Sequence, residues 1–460
     1  MKNIFGLILS AGEGKRMKSN KAKVLHKICG SALVEWVING VKSAGIDEIL
    51  LVVGHKSEEI KKYLKENVNY IMQEKQLGTG HAVMQATKYL KDKEGYVFIL
   101  CGDTPLITSK TIRDTIDFHI KNNNNVTVVS ADINNPTGYG RIVRNLKGDF
   151  IKIVEDKDAS LKEKNIKEIN SGIYCFNIKN LIESLNKLKN NNIQGEYYLT
   201  DTIEILVNEG LKVDAYTISN NEELLGVNDR IQLNKATEII KTRILNKHLL
   251  NGVTIIDKNS TFIDNIVEIE SDTVIYPGVI IEGQSVIGQN SIIGPYSRIV
   301  SSRIGNNVEI NNSIILESCV DNETHVGPFA YIRPESIIGK NVKIGDFVEI
   351  KKSIIEDNTK ISHLTYVGDA KVGKNVNLGC GVVVVNYDGE KKNETIIEDN
   401  VFVGCNANLI SPVIIRNNSY IAAGSTITHE VPKDSLAIAR SKQTIKEEWV
   451  IKNRNLKKNN

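Results

Sequence analysis

Apolar positions along this chain obey two different rules, and the change falls near residue 250. Up to about residue 228, short apolar runs alternate with amphipathic stretches. IFGLIL (4–9), EILLVVG (48–54), YVFILCGD (96–103) and NVTVVSA (125–131) predict strands. SALVEWVINGVKSAG and GHAVMQATKYLKD predict helices between them. Near-continuous apolar strands separated by helices predict a mostly parallel sheet covered on both faces. In such sheets ligands sit beyond the carboxyl ends of the strands, so the loops after Leu9 and Leu100 are the places to look.

Residues 229 to 250, DRIQLNKATEIIKTRILNKHLLNG with its flanks, predict one long helix with Ile240, Ile244 and His248 on one face and Gly252 as a stop signal. Beyond it, Ile263, Ile269, Ile275, Ile281, Ile287, Ile293 and Ile299 recur every six residues. After a break the series restarts at Val320, Val326, Ile332, Ile338, Ile344 and Ile350, with Gly often following the aliphatic residue. A helix repeats at 3.6 and a simple strand at 2, so a strict six needs another architecture. A hexapeptide β-helix supplies it, with six residues per flat side and each aliphatic residue stacked inward on its equivalents. Pairing the flat sides about a symmetry axis would bury them, which predicts a homo-oligomer.

Composition narrows the class. At 460 residues, 41% hydrophobic and 25% charged, the chain reads as a soluble multidomain protein. Its 58 basic and 55 acidic residues leave +3, which gives no case for nucleic acid or membrane as partner. Six scattered cysteines form no CxxC pair, as expected of a reduced cytoplasmic protein. The opening apolar run, Ile4 to Leu9, contains Gly6 and is shorter than the core of a secretion signal.

The loop in LILSAGEGKRM (7–17) has Gly12 and Gly14, which allow positive φ, and bases at Lys15, Arg16 and, further on, Lys23. Such a loop can form an anion-binding nest, or be a plain strand-to-helix turn. It matches neither the P-loop nor the dinucleotide fingerprint. The stretches LSAGEGKRM, AKVLH, QLGTGHA, CGDTP, TGYGRIV, INSGIY, GEYYLTD and GVNDR follow in that order over residues 9–230. Together they resemble the sugar-1-phosphate nucleotidyltransferases, specifically the uridyltransferase half of the bifunctional bacterial N-acetylglucosamine-1-phosphate uridyltransferase/glucosamine-1-phosphate acetyltransferases. The hexapeptide repeats resemble the other half, so the resemblance spans essentially the whole chain.

The resemblance implies an α/β chain with a Rossmann-like nucleotidyltransferase domain (1–228), a linker helix (229–250) and a left-handed parallel β-helix acetyltransferase domain (251–460). It implies that Leu9, Ser10, Ala11 and Gly12 with Lys23 hold the nucleotide phosphates, and that Gln73 with Gly78 and Thr79 reads uracil. Asp103 with Asn228 would bind Mg²⁺, and Gly140, Glu155 and Asn170 would hold the N-acetylated sugar. These roles suit the chemistry, because a sugar phosphate attacking UTP brings one anion onto another and needs cations to neutralise it. One Asp and one Asn oxygen suffice for Mg²⁺, which keeps several waters. Asp103 could otherwise serve as a cap before Thr104-Pro105. Lys15 stands where the family often has Thr, Ala22 replaces the proline of PKVLH, and Cys101 precedes the Gly-Asp pair.

In the repeat region, His363 sits in KISHLTYVGDA ahead of NLGCGVVVVNYDGE. The bland alternatives are a packed histidine on a scaffold, or a zinc site shared with His325 and His429, whose spacing does not suggest one. Under the resemblance His363 is the general base that deprotonates the glucosamine amine, a task suited to imidazole. Arg333 and Lys351 would hold the sugar phosphate, Tyr366 and Asn377 the sugar. Cys380, Asn386, Tyr387, Cys405, Ala423 and Arg440 would line the acetyl-CoA site; Cys405 stands where many relatives have Ser. The stretch VVNYDGEKKNETI breaks the rhythm and predicts a projecting arm, which fits a site shared across a homotrimer. The implied product is UDP-N-acetylglucosamine, a cell-wall precursor made from glucosamine-1-phosphate, acetyl-CoA and UTP by way of N-acetylglucosamine-1-phosphate. Two rivals are a single-function nucleotidyltransferase with an assembling β-helix, opposed by His363 with Asn386 and Tyr387, and a non-enzymatic scaffold, opposed by the full ordered motif set.

Overall fold

The computed structural model describes residues 3–65 and 67–458. They form two compact units, 1–242 and 243–460, whose boundary falls inside the helix Arg230–Leu250 rather than at its ends. The face expected to be apolar is buried: Ile240, Ile244 and His248 are 1%, 8% and 3% exposed. Gly252 ends the helix at φ 88°, where a glycine carries no Cβ penalty.

The front unit is built on one sheet. Its strands are β1 (Ile4–Ser10), β2 (Glu48–Val53), β3 (Asn69–Met72), β4 (Tyr96–Cys101), β5 (Val126–Asp132), β6 (Gly140–Arg144), β7 (Phe150–Val154), β8 (Glu168–Asn177) and β9 (Val213–Thr217). The order is β9-β5-β8-β4-β1-β2-β3, with β6 pairing β8 and β7. The pairs β1–β2, β1–β4, β2–β3 and β5–β9 are parallel, whereas β8 runs antiparallel to both neighbours. Alternation along β1 divides its side chains between two cores. Ile4 and Ile8 join Val34, Val37, Ile38, Val41, Ile112 and Ile116 on one face. Phe5 and Leu7 join Val83, Leu181, Leu185, Ile203 and Leu206 on the other. The segment GHAVMQATKYLKD is two short helices, Thr79–Met84 and Thr87–Leu90, rather than one.

The back unit is a three-sided solenoid. Three all-parallel sheets take every third strand, with eleven, ten and nine strands among the described residues. Each hexapeptide aliphatic residue points inward; Ile275, Ile281, Ile287, Ile293 and Ile299 are fully buried. The apparent break after Ile299 is not a break in the fold. Ile304, Ile310 and Ile315 continue the stack at 1% exposure or less, with the sides before Ile304, Ile315 and Val320 one residue short. The register proves it, since Ile299 pairs with Ile315 and Ile315 with Ile332. At one corner a column of residues takes the left-handed conformation, including Asn341, Asn358, Asn375, Asn400 and Asn418 at φ 54–60°. Asparagine tolerates that region better than most residues. Its amides also bond from coil to coil, Asn341 Nδ2 donating to Asn358 Oδ1 at 2.8 Å and Asn375 Nδ2 to Asn400 Oδ1 at 3.1 Å. No helix among the described residues is long and apolar enough to cross a membrane.

Candidate active sites

At the carboxyl ends of β1 and β4, where the strand pattern directs attention, the front unit opens a cavity of about 280 Å³. Leu9, Gly12, Lys23, Gln73, Gly78, Thr79 and Asp103 line it, together with Gln76, Cys101 and Glu196. Ser10 ends the strand beside it and Ala11 follows, both buried, and Ser10 Oγ meets no hydrogen-bond partner among the described residues. Of the two loop glycines, only Gly14 has positive φ, at 67°. A Cβ there would lie 2.7 Å from Lys23 Cβ, so the glycine is what lets the lysine stem cross the loop. Gly12 needs no such conformation, and the space where its Cβ would be is open.

The three bases of the loop region part company. Lys15 pairs with Glu13 at 2.6 Å in solvent. Arg16 donates to Asn228 Oδ1 at 3.0 Å. Lys23 Nζ meets Asp103 Oδ2 and also donates to Asn228 Oδ1 at 3.2 Å. Two oxygen donors from residues 125 apart in sequence thus converge on one ammonium group, in a place that suits a cation. Ala22 keeps a backbone N–H that proline would lack, and donates it to Glu59 Oε2 at 3.2 Å.

Two distant motifs build the far wall. Tyr197 N donates to Leu77 O and Gly80 N to Tyr197 O, both at 2.8 Å, and Leu199 N donates to Thr79 Oγ1 at 3.1 Å. GEYYLTD is therefore stitched to QLGTGHA. Gly140, Glu155 and Asn170 come together on β6, after β7 and on β8; Gly140 and Asn170 are register partners. Glu155 Oε1 accepts from Thr200 Oγ1 at 3.1 Å, while burial pushes its carboxyl above the usual range. Burial, reinforced by Asp103, pushes the Cys101 thiol up to about 12, so it is no nucleophile near neutral pH.

In the back unit, residues scattered over a hundred positions stack in columns. Gly381 N donates to His363 O, Asn406 N to Cys380 O and Gly424 N to Cys405 O. Arg440 Nη1 closes the series on Ala423 O at 3.0 Å. His363, Cys380, Cys405 and Ala423 therefore occupy one corner of four successive coils. His363 Nδ1 lies 2.7 Å from Asp346 Oδ1, its register partner one coil earlier. Across the adjoining face, Tyr366 pairs with Glu349, and Glu349 accepts from Arg333 at 2.8 Å. Lys351 Nζ reaches Asp369 Oδ2 at 3.2 Å, an oxygen that Asn386 also meets. Asn377 lies in register between Lys360 and Phe402.

The insertion VVNYDGEKKNETI forms a small hairpin in which Tyr387 bridges Lys392. Asp388 caps it, accepting from the backbone of Glu390 and Lys391 at 2.9 and 2.8 Å. The fold brings Lys392 beside Lys351, whose ammonium holds it below the ordinary lysine range. Sequence reasoning missed Lys392, Asp346 and Asp369, because nothing in a hexapeptide rhythm marks which polar residues will share a corner. The other repeat-region histidines serve elsewhere: His325 faces Glu309 at 3.5 Å and His429 bonds Thr428 at 2.9 Å. Among the described residues no group of three or more His, Cys, Asp or Glu is arranged to hold a metal.

Comparison with known proteins follows the same two-part division. The nucleotidyl transferase family matches residues 5–222, the GMPPB C-terminal domain residues 315–403, and the bacterial transferase hexapeptide (six repeats) residues 266–300 and 394–429. With that last match, the solenoid is a left-handed parallel β-helix. The protein described as Bifunctional protein GlmU from Acetivibrio thermocellus is 67% identical over 452 residues, 98% of each chain. Its counterparts in Clostridioides difficile and Thermoanaerobacter pseudethanolicus are 54% and 56% identical over 450 residues, again 98% of each chain. Identity at that level runs through both the nucleotidyltransferase sheet and the hexapeptide coils, and the chain belongs to the GlmU family of bifunctional proteins.

Proposed function

We propose that this protein makes UDP-N-acetylglucosamine in two transfers, one in each unit. The back unit acetylates glucosamine-1-phosphate with acetyl-CoA. The front unit then joins the product to UMP from UTP and releases pyrophosphate. The reaction supplies a cell-wall precursor from small cytoplasmic substrates, and the chain works as a homotrimer in the cytoplasm.

The observation that carries the acetyl-transfer reading is the corner column headed by His363. Asp346 accepts a hydrogen bond from Nδ1–H, which leaves Nε2 as the free base. Nε2 takes a proton from the substrate amine as the nitrogen attacks the thioester carbonyl, and the CoA thiolate leaves as the intermediate collapses. Cys380, Cys405 and Ala423 follow along the same corner, suited to the extended arm of acetyl-CoA. Arg333, Lys351 and Lys392 supply positive charge for the sugar phosphate, with Tyr366, Asn377, Asn386, Tyr387 and Arg440 around the substrates.

In the front unit, Leu9 to Gly12 and Lys23 hold the UTP phosphates, Gln73, Gly78 and Thr79 read the base, and Gly140, Glu155 and Asn170 take the sugar. Asp103 and Asn228 fit Mg²⁺, since both present oxygen to the one point where Lys23 now places its charge. The metal would offset the negative charge of the phosphates during in-line attack by the sugar phosphate. Lys23 then serves the phosphates themselves, and the protein chiefly aligns the reactants.

The test is direct. The purified chain, given glucosamine-1-phosphate, acetyl-CoA, UTP and Mg²⁺, yields UDP-N-acetylglucosamine with release of pyrophosphate and CoA. Production of only one half-reaction would remove the other from the assignment.

A further inference from the structure

Gln73 is 3% exposed and lines the front cavity. Its amide nitrogen is held at two points. It donates to Gly78 O at 3.3 Å, and it lies 3.0 Å from His81 Nδ1. A carbonyl only accepts, so the group facing Gly78 is the NH₂ and not the oxygen. The second amide hydrogen then needs an acceptor, and Nδ1 of a neutral imidazole is one when the ring proton sits on Nε2. On that side stands Gln85, whose amide nitrogen is 3.2 Å from Nε2 and 3.0 Å from His81 O. A neutral ring can accept on one side only. Each amide nitrogen is also held by a carbonyl, so the ring accepts from the nearer and more deeply buried one: Gln73 at 3.0 Å donates to Nδ1, while the half-buried Gln85 keeps its bond to His81 O and leaves its 3.2 Å contact with Nε2 unbonded. With both hydrogens of Gln73 engaged, Oε1 is left to the cavity, and no donor of the described residues is found on it.

We infer that His81 is the residue that sets the base specificity of the uridylyl transfer, by fixing the Gln73 amide with its oxygen toward the base. This rests on the reading of Gln73 as the uracil-facing residue. Uracil carries a hydrogen on N3 and donates it to an amide oxygen. Cytosine has a bare lone pair at N3, which an amide oxygen repels and an amide NH₂ welcomes. Without an acceptor at Nδ1 the Gln73 amide loses one of its two anchors and can present either end. A site that matches a substrate N–H rejects the analogue lacking it far better than shape alone does. His81 acts through Gln73 and is a positioning residue.

The experiment compares kcat/KM for UTP and CTP in the full-length protein. His81→Leu removes the acceptor; His81→Phe does so while keeping a ring beside Tyr197, 6.5 Å away between ring centres. In either variant the UTP/CTP ratio is expected to fall by about 10-fold or more, with kcat at saturating UTP within about threefold of the parent. His81→Asn, which offers an amide oxygen near the place of Nδ1, restores most of the ratio. Gln73→Leu separates the two layers. If it leaves the ratio intact, Gln73 does not read the base and the site reading itself falls. If it collapses the ratio while folded His81→Leu and His81→Phe retain the parent value, the role assigned to His81 is overturned.

Discussion

His363 Nδ1 stands 2.7 Å from Asp346 Oδ1 across one coil of the β-helix. The contact holds the Asp346 carboxyl below its ordinary range, the histidine hydrogen bond being the main cause. A carboxylate in that position selects one tautomer and aims the other nitrogen outward. Asp346→Ala should therefore lower kcat for acetyl transfer by about 10-fold to 10²-fold, part of the roughly 10²–10⁴ that a general base supplies. His363→Ala should show the larger loss, and uridylyl transfer from supplied N-acetylglucosamine-1-phosphate should be unchanged in both. An Asp346→Ala enzyme with parental acetylation kinetics would remove the carboxylate from the mechanism.

Asp103 tests the other unit. Its carboxylate and the Asn228 amide oxygen share Lys23, so Asp103→Ala takes away one of the two oxygens of the proposed cation site. Uridylyl transfer should drop by on the order of 10²-fold or more, the scale for losing one electrostatic contact to a reacting phosphate. Acetyl transfer, measured as CoA release, should stay within about twofold. Equal damage to both would mean misfolding rather than a lost ligand.

Acid sensitivity of the front unit should trace to His119. The side chain is fully buried with Nδ1 on Thr127 Oγ1 at 2.9 Å and Nε2 unpartnered, and burial lowers its pKa from 6.5 to about 4. The unfolded chain therefore binds the extra proton first. The stability from neutral His119 is intact above pH 6.5 and is lost as pH falls from 6.5 toward 4, by about 3 kcal/mol at most. Asp201 works in the opposite sense, because burial raises it to about 6. The informative quantity is thus the difference between parent and His119→Gln in urea unfolding from pH 7 to 4.5. The parent should lose more stability over that window, and parallel curves would refute the role of His119.

The asparagine column makes a prediction about the coils. Asn358 has φ 60° and accepts from Asn341 at 2.8 Å. Asn358→Ala should cost about 1–2 kcal/mol, because a Cβ without a compensating polar group is strained in the left-handed region. Asn358→Gly should cost less, since glycine takes positive φ freely. Calorimetry of the β-helix transition ranks the two, and an alanine variant as stable as the glycine one would contradict the strain.

The sequence by itself determined the two-part architecture. A six-residue period has one physical cause, an inward-facing aliphatic residue on each side of a coil, and Ile275 to Ile299 are buried accordingly. Alternating strand and helix patterns likewise located the loops after Leu9 and Leu100, where the cavity opens. The ordered motifs pointed to Lys23, Gln73 and Asp103, and the resemblance of the repeat region pointed to His363 in KISHLTYVGDA. What only the tertiary structure decided was register. One-residue shortenings before Ile304, Ile315 and Val320 hide the period yet preserve the stack, because each coil needs inward contacts and parallel pairing more than constant length. Which polar residues share a corner depends on the length of each coil, so Asp346 beneath His363, set by the five-residue side from Ile350 to Ile355, and Lys392 beside Lys351, brought there by the inserted hairpin, carry no local signal. The same holds in the sheet, where Lys23 meets Asp103 and Asn228 only because β1 and β4 are neighbours and the chain returns past them 125 residues later. Local pattern fixes which side of an element a residue faces; the pairing of elements fixes whom it meets.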